Sequence, residues 1–150
     1  MSITSGQIKS TIEEFCGSAE LADDDLLVVA SNPALAFDVH LVAPRAALRC
    51  RSGPDGADLA LLESLHDPFW VAERFDRVVI GSGDGIFTEA VVALNHTDTT
   101  TLVIGRAGRT SSRLRLAAQD VLFLKNAACR LPAPHIQVPE AHRDARSAHG

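Results

Sequence analysis

The chain has 150 residues, 46% of them hydrophobic and 22% charged, a length that fits one domain with a single core and excludes two domains of ordinary size. This composition is close to the globular average and excludes wholesale disorder, a collagen-like repeat and a coiled coil. The net charge of −5 gives no general attraction for polyanions, so any contact with nucleic acid must depend on a local basic cluster.

The sequence carries no signal for a membrane or for export. No apolar run reaches the roughly 18 to 20 residues that cross a bilayer, and residues 1–15 lack a basic start followed by an apolar stretch. Cys16, Cys50 and Cys129 are widely spaced and form no CxxC pair, which favours buried, reduced thiols. We therefore expect a cytoplasmic protein.

Apolar periodicity predicts helices that alternate with strands along the chain. In order, these are a helix over 6–18, a strand over 26–31, a helix over 34–42, an edge strand over 46–50, a helix over 58–66, a short helix through Trp70 and Ala72, a strand over 77–80, a helix over 86–94, a strand over 101–104, a helix over 112–119 and a strand over 121–124. Such alternation favours an α/β domain with a mainly parallel sheet, in which ligands bind at the carboxyl ends of strands. The domain is expected to cover 1–131. Residues 132–150 hold three prolines and no periodicity, and are expected to be disordered.

The most specific local signal is the segment RVVIGSGDGIF, a buried strand followed by a glycine-rich turn and a helix. Asp84 comes directly after the carboxyl end of this strand, where it would face the crevice, and the glycines beside it let a ligand approach the backbone closely. Asp84 is also a preferred residue for capping the helix that follows, which is a purely structural role. A dinucleotide-binding turn is disfavoured, because the third glycine of GxGxxG would fall at Ile86.

Asp58 is the second carboxylate with a candidate role. It opens a helix after a glycine turn, so a parallel sheet would bring it to the same edge as Asp84. Paired carboxylates suit Mg²⁺ or Mn²⁺, which prefer oxygen ligands, keep some waters and are often completed by substrate phosphates. A metal held there can activate water and offset charge on a phosphodiester. The alternative for Asp58 is structural, since the helix dipole favours acids in the first turn.

Three segments together resemble the NYN domain family of PIN-like nucleases: DGADLALLESL, FDRVVIGSGDGIFTEAVVAL and TLVIGRAGRTSSRLRLAAQDVLFL. The resemblance covers residues 24–125, and the SGD turn after an apolar strand is its most specific element. It implies a Rossmann-like, three-layer PIN/NYN fold with an acidic cluster that binds Mg²⁺ or Mn²⁺ for RNA cleavage. By position, it assigns catalytic roles to Asp58, Asp84 and Ser112, the two acids as metal ligands and the serine as a group that orders the site or a water.

The chain departs from the family pattern at several positions. No strand ending in the family's first acid precedes Ile8, Ile86 stands where many members have a further acid, and Asp55 stands where a lysine is common. The missing strand is central in a PIN-like sheet, so a seam is expected there. A segment upstream of this sequence, a strand from another chain or an adjusted fold could fill it. An open seam also invites strand addition, so a homodimer is a possible assembly.

A basic stretch follows the strand that ends at Gly105 and contains no acid up to Gln119. Its arginines are Arg106, Arg109, Arg113 and Arg115. Arginine can hold a phosphate through two parallel hydrogen bonds, so these side chains are candidates for RNA contact, with a solvated helix face as the alternative. The predicted substrate-binding residues are Ser82, Gly83, Arg106, Arg109 and Arg113.

Two functions remain open at this point. The first is a metal-dependent ribonuclease of the NYN type, with activity weakened by the missing acids. The second is a degenerate module that keeps the fold and binds RNA or a protein partner without cleavage. The family's first acid discriminates between them, because its absence lowers the expected metal affinity.

Overall fold

The computed structural model describes residues 4–125 and 135–140 of the chain. Its helices and strands, in chain order, are α1 (Ser5–Ala19), β1 (Val28–Ser31), α2 (Ala36–Val42), β2 (Ala47–Cys50), α3 (Gly56–Ser64), α4 (Pro68–Arg74), β3 (Arg77–Gly81), α5 (Thr88–Asn95), β4 (Thr100–Gly105), α6 (Ser112–Ala117), β5 (Asp120–Phe123) and β6 (His135–Glu140). Short 3₁₀ turns at Pro33–Leu35 and Gly85–Phe87 lead into α2 and α5. Within the described residues, no helix combines the length and apolar character that crossing a membrane requires.

The N-terminal helix α1 illustrates how local sequence fixes an element and its buried face. Thr4 and Gln7 form a capping box, in which Thr4 Oγ1 accepts a hydrogen bond from the Gln7 N–H (3.2 Å) and Gln7 Oε1 accepts one from the Thr4 N–H (2.8 Å). These bonds satisfy backbone groups that have no partner inside the helix. Ile8, Ile12 and Phe15 recur at helical spacing and are buried, so α1 lies flat against the sheet.

A six-stranded sheet in the order β2-β1-β6-β3-β4-β5 forms the middle of the molecule. Parallel ladders join β1 to β2, β3 to β4, and β4 to β5, whereas β6 runs antiparallel to both β1 and β3. The other five strands therefore point the same way, and their carboxyl ends meet at one side of the sheet, which we call the carboxyl edge. This arrangement confirms the predicted α/β domain with a mainly parallel sheet.

The centre of the sheet is occupied by β6, a segment from the C-terminal part of the chain. Its register pairs His135 with Ala30 of β1 and Ile136 with Gly81 of β3. Of the segment 132–150, the structure describes 135–140 as this strand, while 132–134 and 141–150 lie outside the described residues. Pro139 explains why the sequence concealed this strand, because proline rarely lies in a strand paired on both sides. The expected seam is filled from within the same chain.

Helices cover both faces of the sheet, which gives the predicted three layers. On one face, α1 and α2 pack on β1, β3 and β4 through a core that includes Ile8, Phe15, Val29, Val39, Val79 and Ile104. On the other face, α3 to α6 pack through a core that includes Leu61, Val71, Val78, Ile80, Val91, Val103 and Leu114. Because successive residues of a strand point to opposite faces, the continuous apolar runs of β3 and β4 supply both cores.

Candidate metal centre and RNA-binding surface

Asp84 lies in the turn that follows β3, at the carboxyl edge. Its backbone N–H donates to Ser82 Oγ (3.1 Å), and its Oδ1 accepts from the backbone N–H of Ile86 (3.0 Å). The second bond caps the 3₁₀ turn, so the structural role considered for Asp84 is confirmed. Ser82 is buried and Asp84 is exposed. The bond to Ser82 therefore fixes the turn to the protein interior, while the Asp84 carboxylate stays accessible to a ligand.

Asp58 lies in the first turn of α3, at the same edge of the sheet. The helix begins there because the chain reverses sharply after β2. A Cβ on Gly56 would overlap the carbonyl oxygen of Arg51, so glycine is required for this reversal. Asp58 is only 5% exposed, and the helix dipole favours its negative charge at this position. The structural role considered for Asp58 is therefore also present.

Asp55, Asp58 and Asp84 come together at the carboxyl edge, although the first two follow β2 and the third follows β3. One carboxylate oxygen from each residue lies within 4.8 Å of the other two. Three carboxylates at this spacing form a set of hard oxygen donors, which is the donor chemistry that Mg²⁺ and Mn²⁺ prefer. The residues present thus fit a divalent cation. The two acids that the sequence singled out, Asp58 and Asp84, are brought together by folding.

Asp55 is the member of this cluster that sequence reasoning did not assign to the site. It occupies the N-cap position of α3, three residues before Asp58. Residues three apart at the start of a helix lie close together, so the spacing of the two acids was the available signal. It was overlooked because Asp55 stands where the family commonly has a lysine.

The loop between β4 and α6 packs directly on the turn that carries Asp84. The Ser111 N–H donates to the carbonyl oxygen of Gly83 (2.8 Å). A Cβ on Gly83 would lie 2.5 Å from the carbonyl oxygen of Arg109 and 2.9 Å from Cα of Thr110, so the two backbones are in contact. This contact places the start of the basic stretch beside the acidic cluster.

The arginines of the basic stretch are presented by this loop and by α6. Arg106 is half-buried, whereas Arg109, Arg113 and Arg115 are exposed. The loop is held by hydrogen bonds from the Arg109 N–H (3.0 Å) and the Thr110 hydroxyl (2.9 Å) to the carbonyl oxygen of Arg106. No described carboxylate forms an ion pair with Arg106 or Arg113. Their positive charges are thus available near the carboxyl edge.

The two serines that open α6 have different environments. Ser111 is the N-cap residue, and its Oγ accepts from the Leu114 N–H (3.4 Å). The same hydroxyl would lie 3.0 Å from a Cβ on Gly85, so Ser111 contacts the turn around Asp84. Ser112 is exposed, and its Oγ accepts from the Arg115 guanidinium (3.3 Å). The serine in contact with the turn is therefore the neighbour of the one that the sequence suggested.

The family model of the NYN domain matches residues 34–125, which include the acidic cluster and the basic stretch. The chain belongs to the NYN domain family. This family lies within the PIN-like nuclease superfamily. The predicted family and fold class are thus confirmed, and NYN domains are typically dependent on divalent metal and generally bind RNA.

The NYN domain also has a similar solved structure. A crystal structure of a protein of unknown function from Vibrio parahaemolyticus RIMD 2210633 is 19% identical, with a TM-score of 0.49, and the match covers 67% of each chain. No curated protein shows significant similarity to this NYN domain.

Proposed function

We propose that this NYN domain is a metal-dependent ribonuclease that hydrolyses phosphodiester bonds in RNA. The observation that carries the proposal is the cluster of Asp55, Asp58 and Asp84, within 4.8 Å of one another at the carboxyl edge. Asp58 and Asp84 hold Mg²⁺ or Mn²⁺ through their carboxylate oxygens. When bound, such an ion supplies a Lewis acid that offsets phosphodiester charge and lowers the pKa of water.

The basic stretch supplies the contacts that hold the RNA. Arg106, Arg109 and Arg113 bind its phosphates, because a guanidinium matches the geometry of phosphate oxygens and keeps its charge at neutral pH. The loop of Arg109 fills the space beside Gly83, so this glycine brings the basic stretch against the turn that carries Asp84 and does not offer the substrate the open backbone that the sequence had predicted. Ser112, exposed at the start of α6, orders the bound phosphate or a water.

A second candidate function is RNA binding without cleavage. It is favoured by β6, because the strand at the centre of the sheet brings no acid to the carboxyl edge. At the carboxyl edge, β6 begins with His135. Its one carboxylate residue, Glu140, is aligned with Arg77 in the strand register, at the opposite end of β3. A centre with fewer carboxylates binds a divalent ion less tightly, and a weakened site would leave the arginines to act alone.

Cleavage of single-stranded RNA in Mn²⁺ by Asp84→Asn tests the proposal. Asparagine also caps helices, so the bond to the Ile86 N–H is kept while the charge is lost. Asp98→Asn is the matched control, since Asp98 is an exposed acid between α5 and β4, at the far end of the sheet. We expect Asp84→Asn to abolish cleavage and Asp98→Asn to retain it.

Each other result has a defined meaning. Unchanged cleavage by Asp84→Asn would remove Asp84 from the mechanism. A parent chain that retains RNA but never cuts it, in Mg²⁺ or Mn²⁺, would establish the binding module instead.

A further inference from the structure

The side chain of Asp55 does not cap helix α3, although Asp55 occupies the N-cap position. Aspartate is among the preferred N-cap residues because its side chain normally accepts a hydrogen bond from the first turn of the helix. At the start of α3, the Asp55 side chain makes no such bond, and only its backbone carbonyl serves the helix, accepting from the Leu59 N–H (2.9 Å). The carboxylate lies instead within 4.8 Å of the carboxylates of Asp58 and Asp84.

The nearby turn gives Asp55 no structural ion pair among the described residues. Arg51, at the start of the same turn, directs its Nη1 to Glu63 Oε1 at 2.9 Å. The ion pairs of Lys9 with Glu13, Arg51 with Glu63 and Arg74 with Glu73 do not include Asp55. The exposed carboxylate of Asp55 thus lies beside two other carboxylates, an arrangement that a shared cation would stabilise.

The central strand offers no competing carboxylate at the same edge. The register of β6 sets His135 and Ile136 beside the ends of β1 and β3, and places Glu140 opposite Arg77 at the other end. A third acidic ligand must therefore come from another element. Among the described acids, Asp55 is the one that shares this position with Asp58 and Asp84.

We infer that Asp55 is the third protein ligand of the divalent cation, and that it replaces the carboxylate which the central strand does not supply. The centre then takes two ligands from the start of α3 and one from the turn after β3. This inference rests on the proposed function, because it concerns the same metal. It explains how the chain can hold a cation without an acid on its central strand.

Titration of the parent chain with Mn²⁺ alone, by calorimetry, tests the inference with a readout that is independent of activity. The test variants are Asp55→Asn, which removes the charge, Asp55→Lys, which reverses it, and Asp55→Glu, which keeps it. The matched controls are Asp98→Asn and Asp98→Lys, which make the same charge changes far from the cluster. Circular dichroism of each variant checks that it folds. Because Asp55 is exposed and its side chain makes no cap bond, we expect all of them to fold.

Removal of a group that only orients a metal ligand lowers metal affinity about 10- to 100-fold. Asp55 is proposed as a direct ligand, so we expect Asp55→Asn to weaken Mn²⁺ binding at least about tenfold. Asp55→Lys should abolish detectable binding, and Asp55→Glu should recover much of it. The Asp98 variants should stay within about twofold, because salt screens an exposed charge at the far end of the sheet.

The outcomes separate the two proposals. If Asp84→Asn loses Mn²⁺ binding but Asp55→Asn and Asp55→Lys bind as the parent does, Asp55 is not a ligand and the metal site stands. If Asp55→Lys and Asp98→Lys weaken binding equally, the effect is general electrostatics and the inference is overturned. If the parent chain binds no Mn²⁺, the proposed metal site and this inference fall together. Should a lysine variant not fold, Asp55→Asn and Asp55→Glu decide the matter.

Discussion

Asp58 and Asp84 hold carboxylate oxygens within 4.8 Å of each other, although one lies in the first turn of α3 and the other follows β3. The parallel strands explain this proximity, because their carboxyl ends, and the helix that starts after β2, lie at one edge of the sheet. Asp58 is buried, so surrounding residues hold its side chain in place. Asp84 is exposed, so its carboxylate is accessible to solvent.

A metal held by this pair should stabilise the folded chain. A ligand that binds the folded state alone adds about 2.7 kcal/mol at 100 times its Kd, so Mn²⁺ should raise the Tm of the parent, and a chelator should reverse the rise. Asp58→Asn and Asp84→Asn should show little or no rise, whereas Asp98→Asn should behave as the parent. Thermal unfolding followed by circular dichroism measures this. An equal rise in Asp84→Asn would show that Mn²⁺ stabilises the chain from another site.

The basic stretch should set the salt dependence of RNA binding. Each phosphate contact to a single strand contributes about 0.7 to the slope of log K against log salt, so replacing Arg109 and Arg113 together by alanine should flatten that slope by about 1.4. The matched control replaces Arg45 and Arg49, which are exposed before and on β2. Fluorescence anisotropy of labelled single-stranded RNA at several salt concentrations measures the slope. Equal slopes in the two double variants would show that Arg109 and Arg113 do not contact phosphate.

Gly83→Ala should destabilise the chain, because a Cβ there would lie 2.5 Å from the carbonyl oxygen of Arg109 and 2.9 Å from Cα of Thr110. Both neighbours are backbone atoms, so the loop of the basic stretch must move, at a cost of about 1–3 kcal/mol. Gly17→Ala is the control, since no atom lies within 4 Å of a Cβ on Gly17 and alanine favours α1 by about 0.5–1 kcal/mol. Urea unfolding compares the two. Unchanged stability in Gly83→Ala would mean that the loop and the turn are not packed as described.

The central position of β6 makes the fold dependent on the C-terminal segment. Truncation after residue 134 removes the strand that joins β1 to β3 and exposes the edges of both. Exposed central edges favour aggregation, so we expect this truncated chain to lose cooperative unfolding and to self-associate. Truncation after Glu140 keeps β6 and serves as the control. Light scattering with urea unfolding distinguishes the outcomes, and the same measurement on the full chain tests the predicted homodimer. Cooperative, monomeric behaviour without β6 would contradict its central role.

The cysteines Cys16 and Cys50 should differ in reactivity. Both thiols are free; Cys50 is exposed, contrary to the expectation of burial, and Cys16 is half-buried. Burial, and secondarily the negative charge of Glu13, raise the pKa of the Cys16 thiol. A raised pKa lowers the thiolate fraction at a given pH, so iodoacetamide should label Cys50 faster than Cys16 at pH 8. The labelling rate of Cys16 should approach that of Cys50 only as the pH rises beyond the ordinary pKa of a thiol. Peptide mapping by mass spectrometry measures both sites, and Glu13→Gln should speed the labelling of Cys16. Equal labelling of both thiols in the folded chain at pH 8 would contradict the pKa shift.

Much of the fold follows from local sequence. The apolar runs of β3 and β4 predict strands buried on both faces. In the structure, the side chains of Asn32 and Asp67 cap the helical turns that follow them. Caps and periodicity are short-range properties, so the helices and strands that were predicted with bounds lie within two residues of their observed ends, whereas β6 was not predicted.

The sequence by itself also determined that Asp84 would follow a strand and that Asp58 would open a helix, because those positions depend only on neighbouring residues. Tertiary structure decided three further points: β6 fills the centre of the sheet, Asp55 joins the acidic pair, and Ser111 rather than Ser112 contacts the turn of Asp84. Each of these depends on segments that are distant along the chain and meet only when the sheet forms. Their free energy comes from pairing and packing across that distance, which no local pattern of residues encodes.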